Sequence, residues 1–196
     1  MTPGHALPEG SAQIEQFARS RRLVYEGWPN PGWFAAWEPF DTMVSAEGYL
    51  NSVSWSLPPS TVTVAEPWLA PLDSEPLDRT LLAFIAHPAL VRRAAARAGE
   101  HFNTRVSYIE NPPAPTVQIG DPAWDAHFVT LAASPTEAAA AIPQAARRLL
   151  VSWNFQGHLE VRPGGIVVHF AGTRPTPEHL NRLANAIPTL LRAFVA

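Results

Sequence analysis

Residues 158–170 read HLEVRPGGIVVHF. Two alternating runs flank Pro163-Gly164-Gly165, the composition of a tight turn, so the stretch is predicted to be a β-hairpin. Successive strand side chains point to opposite faces. Leu159, Val161, Ile166, Val168 and Phe170 then share one face, expected to be buried. His158, Glu160, Arg162 and His169 share the other, expected to be an exposed polar surface. One register sets His158 directly opposite His169; another sets Glu160 there.

Helical patterns surround the hairpin. Before it, SPTEAAAAIPQAARRLL (134–150) has Ser134 as a helix cap and Pro135 at the first helical position. After it, PEHLNRLANAIPTLLRAFVA (177–196) puts Leu180, Leu183, Ala184, Ile187, Leu191 and Phe194 on one side. Both helices contain Ala-Ile-Pro, at Pro143 and Pro188. A proline inside a helix removes one backbone bond and costs about 3 kcal/mol unless the helix bends or restarts, so a bend is expected at each. With HFVTLAA (127–133) as a strand, the C-terminal part reads strand, helix, hairpin, helix. The fold class expected is α+β, antiparallel sheet packed against helices.

Further out the pattern is weaker. Residues 1–10 suggest a loose tail, and 11–196 a single α+β domain with a possible N-terminal subdomain over 11–76 and a C-terminal one over 100–196. Ser11 is expected to cap a helix over about 12–21, with Ile14, Phe17 and Ala18 facing inward. LVYEG (23–27) reads as a strand. Residues 43–57 suit two strands meeting near Glu47-Gly48, and STVTVA (60–65) a third; 66–76, with three prolines, reads as a loop. RTLLAFIAHPALVRRAAARAGEHF (79–102) reads as a helix interrupted at Pro88 and ended by Gly99. TRVSYIE (104–110) is expected to be a strand, and NPPAP after it is not.

Residues 120–128, GDPAWDAHF, hold the residue types that bind metals or move protons. Asp121, Asp125 and His127 could ligate a divalent ion. A structural reading accounts for more of the same residues. Asp121 before Pro122 is a preferred cap followed by a preferred first helical residue, and Trp124 with Phe128 four residues on would anchor the corner in the core.

The G-D-P-aromatic-D-x-x-F pattern of Gly120–Phe128 resembles a group of uncharacterised bacterial α+β domains from G+C-rich genomes. Such domains also carry an A-x-x-R-x-hydrophobic-x-aromatic segment, matched by Ala18–Tyr25, and a Pro-Phe pair, matched by Pro39-Phe40. Trp124 stands where they usually have Phe. The resemblance implies the fold and assigns no activity.

Composition narrows the function classes. The chain has 196 residues, 46% hydrophobic, and a formal net charge of −3. All basic residues apart from histidine are Arg, and they cluster only in threes, as at Arg19, Arg21 and Arg22 or Arg92, Arg93 and Arg97. Nucleic-acid binding needs denser positive charge, so no such partner is expected. There is no cysteine, which excludes disulfides and thiolate chemistry and fits a reducing cytoplasm. No apolar run approaches the ~18 residues of a membrane span, and no signal peptide is expected. Searches for H-E-x-x-H, G-x-S-x-G, a phosphate-binding loop and a dinucleotide fingerprint find none, so no cofactor is expected.

One segment stands out for binding. Residues 28–40 place Trp28, Trp33, Phe34, Trp37 and Phe40 among three prolines. They either fill the core or line a groove for a partner, where aromatic residues commonly supply the binding energy. The leading expectation is a non-catalytic domain that binds another protein or a larger assembly. The competing one is a small hydrolase or metal-dependent enzyme using Asp121, Asp125 and His127, or the His158/His169 hairpin.

Overall fold

The computed structural model describes residues 6–68, 79–99, 109 and 112–195. Among them an antiparallel nine-stranded sheet carries helices, an α+β fold as the sequence implies. In chain order the elements are α1 (Ser11–Ser20), β1 (Val24–Glu26), α2 (Pro31–Ala35), β2 (Gly48–Leu57), β3 (Ser60–Trp68), β4 (Leu82–Ala86) and β5 (Ala94–Ala98). There follow β6 (Thr116–Val117), α3 (Pro122–Asp125), β7 (Val129–Leu131), α4 (Pro135–Ala141), α5 (Gln144–Ser152), β8 (Gly157–Arg162), β9 (Gly165–Phe170) and α6 (Pro177–Val195). The strand order across the sheet is β1-β2-β3-β4-β9-β8-β5-β7-β6. The predicted hairpin, β8 and β9, therefore lies inside the sheet, and β4 and β5 flank it. No helix among the described residues is long and apolar enough to cross a membrane.

The sheet buries both faces, so its central strands need not alternate apolar with polar residues. On one side, Ala83 and Ile85 of β4, Leu159 and Val161 of β8, and Ile166 and Val168 of β9 meet Ile14 of α1, Leu150 of α5 and the apolar stripe of α6. On the other, Leu82, Phe84 and Val167 meet Phe34, Phe40, Met43 and Tyr49. Each fully buried side chain of this size contributes roughly 1.5–3 kcal/mol.

That two-sided burial corrects the expectation of a helix over 79–102. Leu81, Leu82, Ala83, Phe84 and Ile85 form a continuous apolar run because both faces are covered, not because one helical face is. β4 pairs with β3 and β9, and β5 pairs with β8 and β7. Tertiary pairing overrides the high helix propensity of Ala94-Ala95-Ala96.

Other expectations shift in detail. Ser11 does not cap α1: the N-cap is Gly10, and the Ser11 hydroxyl donates to the Pro8 carbonyl at 2.7 Å. Residues 43–57 hold one long strand, not two; in place of a turn at Glu47-Gly48 the register slips between Leu50 and Val53. Asn51 sits in that bulge at φ 50°, a conformation Asn tolerates better than most side chains. β3 runs on to Trp68 through Pro67, where a loop was expected. It pairs with β4 only over Thr61–Ala65, so Pro67 has no ladder bond to supply on that side. The predicted strand 104–110 lies outside the described residues except Ile109.

The two helix prolines behave differently. At Pro143 the predicted helix divides into α4 and α5, with Ile142 driven to an extended ψ of 86°. At Pro188 α6 continues from Pro177 to Val195. Ile187, Leu190, Leu191 and Phe194, all buried, hold its second half in place.

Candidate functional site

The aromatic segment resolves into an inner and an outer layer. Asn30 caps α2, its Oδ1 accepting from the Gly32 N–H at 2.9 Å, and Pro31 starts the helix. The five-residue helix turns Phe34 inward, where it is 2% exposed and stacks on Tyr49 with centroids 4.0 Å apart. Phe84 meets Phe34 edge-on at 5.2 Å and Trp37 at 5.5 Å. Of the residues predicted to bind, Phe34 is therefore core; so is Phe40 beside it. Trp28 and Trp37 are half-buried, and Trp33 is 39% exposed.

Trp33 nevertheless stands on a rigid base. Its ring lies 4.8 Å from Phe34 and 5.7 Å from both Trp37 and Phe84. Trp37 in turn packs on the hairpin turn, so closely that a Cβ at Gly165 would come within 2.6 Å of its ring. Tyr49 donates to Glu38 at 2.8 Å, and burial with the nearby Glu38 raises its pKa. Clefts open on either side of Pro29-Asn30. One, of about 350 Å³, runs from Trp33 across Ser54, Thr61 and Thr63 to Glu26. The other, of about 290 Å³, lies between Trp28, Pro31, Tyr49 and Glu47.

The polar face of the hairpin is buried, contrary to the expectation of a solvated surface. His158 and Glu160 are 0% exposed and His169 2%. The segment after α2 folds over them: the Asp41 N–H donates to Glu160 at 2.7 Å, and the Thr42 hydroxyl bonds His158 Nδ1. His158 does pair with His169 across the strands, the first of the two registers. The Thr80 hydroxyl donates to the Thr173 carbonyl at 3.0 Å, so His169 Nε2 must donate to Thr80 at 2.8 Å. Arg93 closes the group with a bidentate pair to Asp41 at 2.5 and 2.7 Å.

Burial sets the charge states here. It pushes Glu160 up to about 7, helped by the Asp41 carboxylate and opposed by the Asp41 N–H, Arg162 and Arg93. It holds His158 down to about 3, together with the neighbouring His169 and Arg97. His158 Nε2 and Glu160 Oε2 are 3.8 Å apart, and both are neutral in mildly acid solution.

The GDPAWDAHF corner is built as a cap. Asp121 accepts from the Trp124 N–H at 3.4 Å and from Arg147 Nε at 3.0 Å. The Arg147 bond is the main cause of its lowered pKa. Asp125 accepts from the N–H groups of Ile119 and Gly120 at 3.0 and 2.9 Å. His127 is exposed and donates to the Ala123 carbonyl at 2.9 Å. Trp124 is fully buried and stacks on Phe128 with centroids 3.7 Å apart. Among the described residues no three His, Cys, Asp or Glu side chains gather to hold a metal ion. Asp121→Ala is expected to lower stability by about 1 kcal/mol through loss of the cap, and Zn²⁺ or Mn²⁺ should not raise the melting temperature. A metal-dependent rise removed by Asp125→Asn would sink the capping reading.

Sequence reasoning missed two buried networks. Glu66, 0% exposed, receives Arg79 at 2.5 and 2.7 Å and Asn51 at 3.0 Å, while Tyr25 donates to Asn51 at 2.8 Å. Asp41–Arg93–Glu160 is the other. Their members lie 13 to 119 residues apart, and no local pattern links them.

No family model matches the chain, and no curated protein matches its sequence. Among solved structures it is similar to the crystal structure of the mycobacterial trehalose monomycolate transport factor A, TtfA. The TM-score is 0.56 at 13% identity, covering 95% of this chain and 97% of that one. At that identity the likeness is one of fold.

Proposed function

We propose that this chain is a non-catalytic binding domain that docks another protein through the Trp28–Trp33 face. One observation carries the reading: Trp33, 39% exposed, is braced by three other rings and lies beside a cleft. An indole already fixed in place loses little side-chain freedom on binding, and a large aromatic surface next to a cavity is the usual form of a binding hot spot. The half-buried Trp28 lines the second cleft, so the face offers two anchors. We propose further that the domain acts in the cytoplasm as a subunit of a larger assembly, without a cofactor and without binding nucleic acid or inserting into a membrane.

The competing reading, a small hydrolase or metal-dependent enzyme, draws on the polar groups under the hairpin and at the corner. Burial of His158 and Glu160 keeps a substrate from them, and Asp121, Asp125 and His127 are each engaged in bonds within the corner. Both facts favour the binding role.

Trp33→Ala is the test. Loss of three ring contacts at a position 39% exposed should cost about 1–2 kcal/mol in stability and leave the chain folded. Quantitative affinity capture with cross-linking should recover a partner contacting residues 28–37, and the substitution should weaken that contact at least tenfold. Identical recovery by the folded variant, or cross-links confined to other surfaces, would contradict the proposal.

A further inference from the structure

The two clefts share a charge pattern. The larger carries Glu26, the smaller Glu47, and no Arg among the described residues lines either. Both carboxylates belong to exposed residues, and neither forms an ion pair with another described side chain. Two other acids at the surface are paired locally, Glu15 with Arg19 and Glu178 with Arg182. Here each acid instead shares its cleft with an indole, Trp33 in one and Trp28 in the other. An indole face attracts a guanidinium or ammonium, and a carboxylate within the same cavity completes a site for one cation. Between them Pro29 and Asn30 line both cavities, so a single extended chain crossing that ridge reaches each.

We propose that the occupant of this face is an extended peptide segment bearing two arginine or lysine side chains, one seated in the Trp33–Glu26 cleft and one in the Trp28–Glu47 cleft. The proposal rests on the binding role argued above and adds the chemistry of the partner. Thr61, exposed in the lining of the larger cleft, offers a hydroxyl to the polar backbone of such a segment, while the Ser54 and Thr63 hydroxyls bond each other at 2.8 Å. A neutral apolar segment would leave both carboxylates facing it without compensation.

Selection from a random twelve-residue peptide display library tests this with the whole chain as bait. Peptides enriched on the wild type should be rich in Arg or Lys, and those enriched on a Glu26→Arg, Glu47→Arg double variant should not be. A synthetic peptide from the first pool should bind about tenfold more weakly to Glu26→Gln, Glu47→Gln, the loss expected for two exposed ion pairs while both indoles stay in place. Its affinity should also fall with added salt. A pool with the same charge on both baits, or no enrichment over Trp33→Ala, would overturn the proposal. So would occupation of the face by a second copy of the chain, seen as self-association lost on Arg21→Glu, Arg22→Glu. Enrichment that depends on Trp33 but not on charge would refute the cationic partner alone and leave the docking role standing.

Discussion

Between pH 4.5 and about 8 Glu160 is expected to withdraw about 3 kcal/mol of stability, offset up to pH 6.5 by His158, and Glu160→Gln should remove that withdrawal. In the unfolded chain the carboxyl titrates near 4.5; in the fold, burial moves it to about 7. Between those values the folded state holds a proton that the unfolded state has released, so stability falls as pH rises. The contribution is complete below 4.5 and is lost as the pH passes through 7. Two and a half units correspond to about 3 kcal/mol.

His158 works in the opposite sense. Its ordinary value is 6.5 and its folded value about 3, so acidification protonates the unfolded chain first. Stability is complete above 6.5 and declines towards pH 3. The two slopes oppose each other between 4.5 and 6.5, which makes a broad maximum there. Urea midpoints measured from pH 4 to 8.5 would resolve both limbs. Glu160→Gln should flatten the alkaline limb while keeping an acceptor for the Asp41 N–H; His158→Asn should flatten the acid limb. A Glu160→Gln protein with the wild-type slope between pH 6.5 and 8 would show that the carboxyl is not held neutral.

Trp124→Ala is expected to be the most damaging single change, at about 3–5 kcal/mol. The side chain is fully buried in the larger core, lies parallel to Phe128 with 4° between the rings, and donates from Nε1 to Thr130 at 2.8 Å. Truncation opens a cavity and leaves the Thr130 hydroxyl, 1% exposed, without its donor. For a chain of this length the melting temperature should drop by roughly 6–20 °C. A drop under 2 °C in a calorimetric scan would mean that the corner does not anchor the sheet. Trp33→Ala supplies the contrast, because the same residue type at a position 39% exposed should lower the melting temperature by less than half as much.

These contrasts mark how far the candidate site was legible. The corner could be read because its chemistry is local: Asp121 caps a turn that begins one residue later, and Trp124 reaches Phe128 across a single turn. The aromatic segment could be identified but not partitioned. Which of Phe34 and Trp33 faces inward depends on Tyr49 and Phe84, supplied by β2 and β4 and 15 or more residues away in the chain. The clefts and their unpaired acids depend on the same packing. The burial of His158 and Glu160 is not legible in sequence, since an alternating polar face looks the same whether water or a folded segment covers it.

The sequence by itself determined the elements whose signals are short in range: the β8–β9 hairpin with its Pro-Gly-Gly turn, the capped helices α3 and α4, the break at Pro143, and the amphipathic α6. It therefore implied an α+β fold. Only the tertiary structure decided that 82–86 and 94–98 are strands, that β8 and β9 lie inside the sheet, and that residues 37–46 seal a polar layer beneath them. The reason is that an apolar run carries no period once both of its faces are buried. A buried carboxyl, likewise, is made by residues that meet it from more than a hundred positions away.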